Sequence, residues 1–347
     1  MTYLIHGLLG ALLAVSPAAM PAADTSFSFV VVGHIRRDGT GGPLHPRLAE
    51  LIERVRALNP DMVFLTGDMV WGDMHSNPAD PAKVEAEWRL LDSALSTLPM
   101  PIHRVPGNHD ISDLGTRDLY FQRYGRLPRT IEFRGSRFIL LSSAWIPPDG
   151  DTRHNPYIRP RGLDSIQLGG LTTELARPDS FAHTFVFQHH TLWWDPAAPW
   201  WKEVHPLIAR AGVDAVFAGD YGPLKFSFTE KDGVRYYQSA MEGDVGLSIL
   251  REMMSSRLLE RQFDNFLYVT VRGSEVNVAV RTVGETSSGK FSPEHWREVN
   301  LYQAPEPPLP VRIWQKIRDP KRLAALILAI GAIFLSGYLL GRRRATG

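Results

Sequence analysis

Residues 62–70 read MVFLTGDMV, a strand-forming run that ends in a polar Gly-Asp step. Two further runs flank it, FSFVVVG at 27–33 and IHRV at 102–105. Between the three runs, apolar residues recur with helical spacing over 46–58 and 81–98. This β-α-β-α-β order predicts parallel strands whose faces are covered by helices.

The middle of the globular part is expected to be antiparallel in character, with hairpins beside further strands and helices. Its predicted elements are strands 130–133 and 137–142, helix 163–175, strand 184–187, helix 206–211, strand 215–218, and the hairpins 224–229 with 234–239 and 266–272 with 275–281. The predicted fold class is therefore α/β with both parallel and antiparallel strands.

Five of these strands are followed by polar residues, most of them Asp, Asn or His. The residues are His34 and Arg36; Asp68; Asn108, His109 and Asp110; His189 and His190; and Asp220. Taken singly, the Gly-Asp and Gly-Asn-His-Asp steps are typical of turns, and a histidine at a strand end is typical of a hydrogen-bonded structural residue. Because the carboxyl ends of neighbouring strands meet at one edge of an α/β sheet, we expect these side chains to converge. Asp, Asn and His are ligands that divalent metals use, so the set predicts a metal site.

These motifs resemble those of the calcineurin-like metallophosphoesterase superfamily, which run Asp-x-His, Gly-Asp, Gly-Asn-His-Asp or -Glu, a lone His and Gly-His-x-His. Asp68 stands as that pattern requires, as do Asn108 and His109 in PGNHD and His189 in FQHH. The resemblance covers about residues 27–281 and implies a sandwich of two mixed β-sheets flanked by helices.

The first and last motifs depart from the pattern. The resemblance implies two metals bridged by Asp68, with the first held by positions that are His34, Arg36 and Gly222 here. An arginine stays protonated and has no lone pair to donate to a metal. The first metal site is therefore expected to be absent, either empty or filled by the guanidinium of Arg36.

The second site keeps a set of ligands, namely Asp68, Asn108, His189 and, in place of a family His, Asp220. Three oxygen donors and one imidazole suit a single Mn²⁺, Mg²⁺, Ca²⁺ or iron ion better than Zn²⁺. The expected cofactor is one divalent metal.

The expected activity is metal-dependent hydrolysis of a phosphoester. Arg36 would grip the phosphoryl oxygens, and His109, oriented by Asp110, would protonate the leaving group as the resemblance implies. His34 and His190 are further candidates for phosphate contact. The alternative is a degenerate member that binds a phosphorylated or glycan ligand or partner without hydrolysis. A purely structural envelope protein is a third hypothesis, which leaves the polar strand ends unexplained.

The charge of the chain is unevenly distributed. The 347 residues carry 38 Lys and Arg against 37 Asp and Glu, and they include no cysteine, which excludes a disulfide scaffold. Residues 312–344 hold eight of the bases and one acid, so this segment carries +7 and the remainder about −6. An acidic body gives no indication of nucleic-acid binding, which depends on a basic surface.

Both ends of the chain carry apolar stretches. Residues 323–340, LAALILAIGAIFLSGYLL, are uncharged and long enough to cross a bilayer as a helix; a buried core helix is the alternative. Residues 1–23 have an apolar run followed by small residues, which predicts a signal peptide; an uncleaved anchor is the alternative. Together they predict a cell-membrane protein with its globular domain on the exported side, periplasmic or extracellular.

The predicted organisation is a signal peptide (1–23), a metallophosphoesterase-like domain (24–303), a Pro-rich linker with a basic juxtamembrane segment (304–322), a transmembrane helix (323–341) and a basic cytoplasmic tail (342–347). The expected partners are the membrane and either a small phosphoester or a lipid-linked envelope substrate. Residues 191–201, TLWWDPAAPWW, hold four of the nine Trp. These rings either cap the sheet, form a platform for a sugar, base or lipid headgroup, or rest at the bilayer interface.

Overall fold

The computed structural model describes residues 26–36, 44–73, 76, 78–144, 146, 162–177, 181–194, 196–219, 226–241 and 264–284. Its elements are β1 (Phe27–Val32), α1 (Leu48–Leu58), β2 (Met62–Thr66), α2 (Pro81–Leu95), β3 (Ile102–Val105), α3 (Leu114–Tyr124), β4 (Arg129–Phe133), β5 (Ser136–Leu140), α4 (Ser165–Leu175), β6 (His183–Phe187), α5 (Trp200–Glu203), α6 (His205–Arg210), β7 (Ala215–Ala218), β8 (Phe226–Lys231), β9 (Val234–Ser239), β10 (Asn265–Arg272) and β11 (Glu275–Thr282).

The strands of the described residues form two mixed sheets. The first has the order β11-β10-β1-β2-β3, in which β1, β2 and β3 are parallel, as predicted, and β10 and β11 form an antiparallel hairpin beside β1. The second has the order β4-β5-β6-β7-β9-β8, with antiparallel edge pairs around the parallel strands β5, β6, β7 and β9. The expectation of two mixed sheets is thus confirmed.

Aromatic rings from both sheets form the core between them. The rings of Phe64 on β2 and Phe187 on β6 stack with centroids 4.0 Å apart. Phe29 on β1 lies edge-on to Phe185 and Phe217, at 5.2 and 5.9 Å. Because side chains alternate between the two faces of a strand, the β-branched and aliphatic residues next to these aromatic residues point to the outer faces of the sheets. The two sheets therefore pack face to face on an aromatic layer.

The outer face of the second sheet is covered by α4, α6 and the Trp-rich loop. Trp193 and Trp200 are buried there, with ring centroids 5.0 and 6.4 Å from that of Tyr236 on β9. These two rings cap the sheet and do not form an exposed platform. Trp194 and Trp201 are partly exposed.

Helices α3 and α5 were not predicted from the sequence. Helix α3 begins with a capping box, in which Asp113 accepts a hydrogen bond from the backbone N–H of Thr116, and the Thr116 hydroxyl accepts one from that of Asp113. Its Tyr120 packs edge-on against Trp88 of α2 at 6.0 Å. A cap and aromatic contacts with Trp88, more than an apolar stripe, define this helix.

Among the described residues, no helix is long and apolar enough to cross a membrane. The predicted signal peptide, linker, transmembrane helix and tail lie outside the described residues, and so does Asp220.

Candidate phosphoester site

The loops that follow β1, β2, β3 and β6 meet at the carboxyl ends of the strands. Backbone bonds extend the pairing of β1 and β2 beyond the sheet, because the N–H of His34 donates to the carbonyl of Gly67 (2.9 Å) and that of Arg36 to the carbonyl of Asp68 (3.1 Å). The second sheet closes in from the other side, where the loop after β7 reaches the end of β2. A Cβ on Gly219 would lie 2.2 Å from the carbonyl oxygen of Thr66, so only glycine permits this approach.

Asp68 is the centre of the site and is 1% exposed. Its Oδ2 lies 2.6 Å from Nε2 of His34 and 3.4 Å from Nε of Arg36. Its Oδ1 accepts the backbone N–H of His109 (3.1 Å) and lies 3.2 Å from Nε2 of His189. The carboxylate of Asp68, which follows β2, is therefore contacted by residues that follow three other strands, β1, β3 and β6.

The backbone of this centre is strained. His34 and Asp68 both have a φ of +53°, a left-handed conformation that non-glycine residues seldom adopt. Such conformations persist where the surrounding structure enforces them, and they concentrate at functional sites. Next to Asp68, a Cβ on Gly107 would lie 2.1 Å from Oδ1, so the PGNHD turn can pack against the carboxylate only with glycine there.

The charge of Asp68 is stabilised by its neighbours. Burial alone would raise the pKa of this carboxyl, but the imidazoles of His189, His109 and His34 hold the pKa well below its usual range. Asp68 is consequently ionised at neutral pH, inside a pocket from which water is excluded.

Arg36 lies where the family pattern has a metal-binding histidine. Its side chain is 9% exposed, and its guanidinium carbon is 5.1 Å from the centroid of the Trp71 ring. With Nε on Asp68, the guanidinium places a permanent positive charge against the central carboxylate.

Asp110 does not orient the ring of His109, contrary to the expectation from the sequence. Its Oδ1 accepts the backbone N–H groups of Met69 (2.9 Å) and Val70 (3.2 Å), and its Oδ2 accepts that of Gly107 (2.7 Å). Asp110 therefore ties the β2 loop to the β3 loop.

The ring of His109 is instead oriented by a backbone carbonyl. Its Nδ1 lies 2.9 Å from the carbonyl oxygen of Trp71, so Nδ1 carries the proton. Its Nε2 is directed at Asp68, 3.8 Å from Oδ2.

The pKa values of His109 and Asp110 both differ from the usual values of these groups. Burial lowers the pKa of His109 to about 4, with the charge of Asp68 opposing the shift and that of Arg36 adding to it. Burial and then the charge of Asp68 raise the pKa of Asp110 to about 7, although the hydrogen bonds it accepts oppose this. At neutral pH, His109 is thus a neutral imidazole whose Nε2 is an acceptor.

His189 is oriented in the same manner. Its Nδ1 lies 2.7 Å from the carbonyl oxygen of Thr66, which can only accept, so Nδ1 is protonated. In a neutral ring, Nε2 then carries a lone pair 3.2 Å from the Oδ1 of Asp68. Two acceptors at this distance repel each other, so the arrangement requires a positive charge between them, either a proton on Nε2 or a cation.

Asn108 contacts His190 rather than Asp68, with Oδ1 3.1 Å from Nε2 of that ring. Among the described residues, no group of three or more His, Asp or Glu side chains is arranged to hold a metal ion. The carboxylate of Asp68 and the imidazole of His189 are nevertheless donors of a kind that divalent metals use, and their Oδ1 and Nε2 lie 3.2 Å apart.

Two residues of the site were missed by sequence reasoning. Trp71 orients His109 through its carbonyl and covers Arg36 with its ring. Ser143 contacts both His189 and His190. Both follow strand ends, Trp71 shortly after the Gly-Asp step and Ser143 after β5, and this position is the signal that could have identified them.

The chain is similar to a known protein family and to several solved structures. A family model described as calcineurin-like phosphoesterase matches residues 27–221. A dimetal phosphatase from Danio rerio has 14% identity and a TM-score of 0.47, over 74% of this chain and 99% of its own. GAP50, the anchor in the inner membrane complex of Plasmodium, has 11% identity and a TM-score of 0.48, over 81% and 98%. A 5'-nucleotidase from Candida albicans has 12% identity and a TM-score of 0.41, over 78% and 57%.

None of the curated proteins matches the chain. The family model, however, spans more than half of its length. The chain therefore belongs to the calcineurin-like phosphoesterase family.

Proposed function

We propose that this protein hydrolyses a phosphoester with a single divalent metal at a modified calcineurin-like site. The observation that carries the proposal is the convergence of His34, Arg36, His109 and His189 on the buried carboxylate of Asp68. Members of this family are in general phosphoester hydrolases that use two metals. A buried, ionised carboxylate among imidazoles is the kind of centre that such chemistry needs.

Asp68, Asn108 and His189 would hold the metal, with Asp220 as the candidate fourth ligand. When bound, a divalent cation supplies Lewis-acid polarisation of a phosphoryl oxygen. Thr66 supports this role of His189, because its carbonyl accepts the Nδ1 proton and so keeps the lone pair on Nε2. We propose that the second family metal is replaced by the guanidinium of Arg36.

Arg36 would bind the phosphoryl oxygens, since a guanidinium is a planar, permanently charged fork of N–H donors that matches the oxygens of a phosphoryl group. His109 would protonate the leaving group from Nε2, because Nδ1 is held by Trp71. With a pKa of about 4, His109 rarely carries that second proton at neutral pH. Turnover that depends on it should therefore rise as the pH falls towards that value.

A second candidate function is binding of a phosphorylated or glycan ligand without hydrolysis. The observation that favours it is that both oxygens of Asp68 are contacted by groups of the protein, with His34 and Arg36 on Oδ2 and the N–H of His109 on Oδ1. A carboxylate that is neutralised in this way has less negative charge to offer a cation.

Metal analysis of the purified protein, combined with phosphomonoester and phosphodiester assays in Mn²⁺, separates the two functions. The hydrolase predicts about one equivalent of bound metal and turnover that is lost in Asp68→Ala and Asn108→Ala. Absence of metal, with no turnover above that of these variants, would refute hydrolysis. Two equivalents would refute replacement of one metal by Arg36.

We also propose that the protein is anchored in the cell membrane by residues 323–341, with its globular domain exported and acting on a small phosphoester or a lipid-linked envelope substrate. The support is the uncharged stretch between basic flanks. Fractionation of cells expressing the full chain or a chain truncated after residue 303 tests this anchor. The full chain should sediment with membranes and the truncated chain should not; equal distribution would contradict the proposal.

A further inference from the structure

Ser143, in the loop after β5, contacts both histidines that follow β6. Its Oγ accepts the backbone N–H of His189 (3.1 Å) and that of His190 (2.9 Å). The same Oγ lies 3.0 Å from Nδ1 of the His190 ring. Ser143 is 2% exposed and His190 is 4% exposed, so these contacts are shielded from water.

The proton of the Ser143 hydroxyl decides which nitrogen of His190 is protonated. A serine hydroxyl has one proton to donate, and its oxygen already accepts two backbone N–H groups. Within the described part of the chain, Nδ1 of His190 is the acceptor that lies opposite this hydroxyl. Donation to Nδ1 leaves the proton of the neutral ring on Nε2.

The other side of the His190 ring faces the site. Its Nε2 lies 3.1 Å from Oδ1 of Asn108, an amide oxygen that can only accept. The tautomer favoured by Ser143 is therefore the one that donates to Asn108. The competing tautomer would donate from Nδ1 to the carbonyl oxygen of Ser143, 3.2 Å away, and would leave two acceptors facing each other at Asn108.

We infer that Ser143 and His190 are positioning residues: Ser143 selects the tautomer of His190, and His190 thereby fixes the direction of the Asn108 amide. The inference about the tautomer stands on the contacts alone, whereas its consequence for metal binding rests on the proposed function, in which Asn108 is a ligand. Partners that orient a metal ligand typically change metal affinity by about 10–100-fold when they are removed.

The tautomer is tested by long-range ¹H–¹⁵N NMR of the full-length protein labelled with ¹⁵N-histidine. The signals of His190 are assigned by their loss in His190→Gln. We expect the Nε2-protonated form in the wild type and a shift towards the Nδ1-protonated form in Ser143→Ala. Ser142→Ala is the matched control, because the Ser142 hydroxyl donates to the carbonyl of Ala144 and not to a histidine.

Titration with Mn²⁺ alone tests the consequence for metal binding. We expect Ser143→Ala and His190→Phe to bind Mn²⁺ more weakly than the wild type by about 10-fold or more. His190→Gln should recover part of the affinity, because its amide N–H can replace the Nε2 donor, and Ser142→Ala should bind as the wild type does.

An Nδ1-protonated His190 in the wild type, or an unchanged tautomer in a folded Ser143→Ala, would overturn the inference. If Ser143→Ala does not fold, the wild-type tautomer decides by itself. If the wild type binds no Mn²⁺, the proposed function fails while the NMR experiment still tests the positioning of Asn108.

Discussion

The Nε of Arg36 lies 3.4 Å from the Oδ2 of Asp68, so a permanent cation lies against the central carboxylate of the site. A guanidinium does not exchange with solvent as a metal ion does, and it stays charged at any pH at which the protein is folded.

Replacing Arg36 by histidine should add a metal ligand beside Asp68 and so allow the second metal that, in the proposed function, Arg36 replaces. The variant Arg36→His removes the fixed charge from Asp68 and supplies an imidazole, so we expect the bound Mn²⁺ to rise from about one equivalent towards two. The measurement is metal content after dialysis. Arg36→Leu is the control, because it removes the charge and its side chain has no atom that can bind a metal; equal metal content in both variants would contradict the prediction.

Neutralising Asp68 should destabilise the fold. Asp68→Asn keeps the shape of the side chain but removes the buried negative charge against which His34 and Arg36 lie. Losing one partner of a buried ion pair typically costs about 3–5 kcal/mol in the free energy of unfolding. Urea denaturation measures this loss.

The control for that experiment is Asp118→Asn. Asp118 is an exposed carboxylate that lies 3.0 Å from Arg117, and exposed pairs contribute less than about 1 kcal/mol. A similar loss of stability in both variants would show that Asp68 is not a buried charge centre.

A methyl group at residue 107 should disrupt the site. In Gly107→Ala the new Cβ would lie 2.1 Å from Oδ1 of Asp68, so the two loops must move apart. We expect a loss of about 1–3 kcal/mol in the free energy of unfolding, together with loss of Mn²⁺ binding.

Gly169→Ala is the matched control for this substitution. Gly169 lies inside α4 with no atom within 4 Å of the new methyl group, and alanine there should stabilise the helix by about 0.5–1 kcal/mol. Thermal and urea unfolding of both variants measure the contrast. A Gly107→Ala protein as stable as Gly169→Ala would contradict the geometry.

His103 on β3 should make the protein less stable in acid. Burial, followed by the charges of Arg129 and Arg104, lowers the pKa of His103 from 6.5 to about 4, and its ring lies 5.2 Å from that of Phe64. Below pH 6.5 the unfolded chain gains a proton here that the folded chain does not accept until about pH 4. The contribution of His103 to stability is therefore complete above pH 6.5 and declines as the pH falls through this window.

The variant His103→Phe removes this titration and retains a ring beside Phe64. We expect its free energy of unfolding to decrease less than that of the wild type between pH 7 and pH 4.5. Urea denaturation at a series of pH values measures the difference, and equal pH dependence in the two proteins would contradict the prediction.

Sequence reasoning predicted the strands well and the helices less well. Strands β1, β2 and β3 have strong β-forming runs that end in polar turns, and their parallel pairing is as expected. Helix α3 escaped prediction because its start depends on the capping pair of Asp113 and Thr116, and its packing on the contact of Tyr120 with α2.

The sequence by itself determined the family, the parallel direction of β1, β2 and β3 and which strand ends carry polar residues, because strand periodicity and turn chemistry are local properties of the chain. Only the tertiary structure decided that Asp110 ties two loops together instead of orienting His109, and that Ser143 reaches the histidines after β6. The physical reason is that the bonds from Met69 to Asp110 and from His189 to Ser143 join residues 41 and 46 positions apart in sequence, in loops that meet only when neighbouring strands of a sheet have paired.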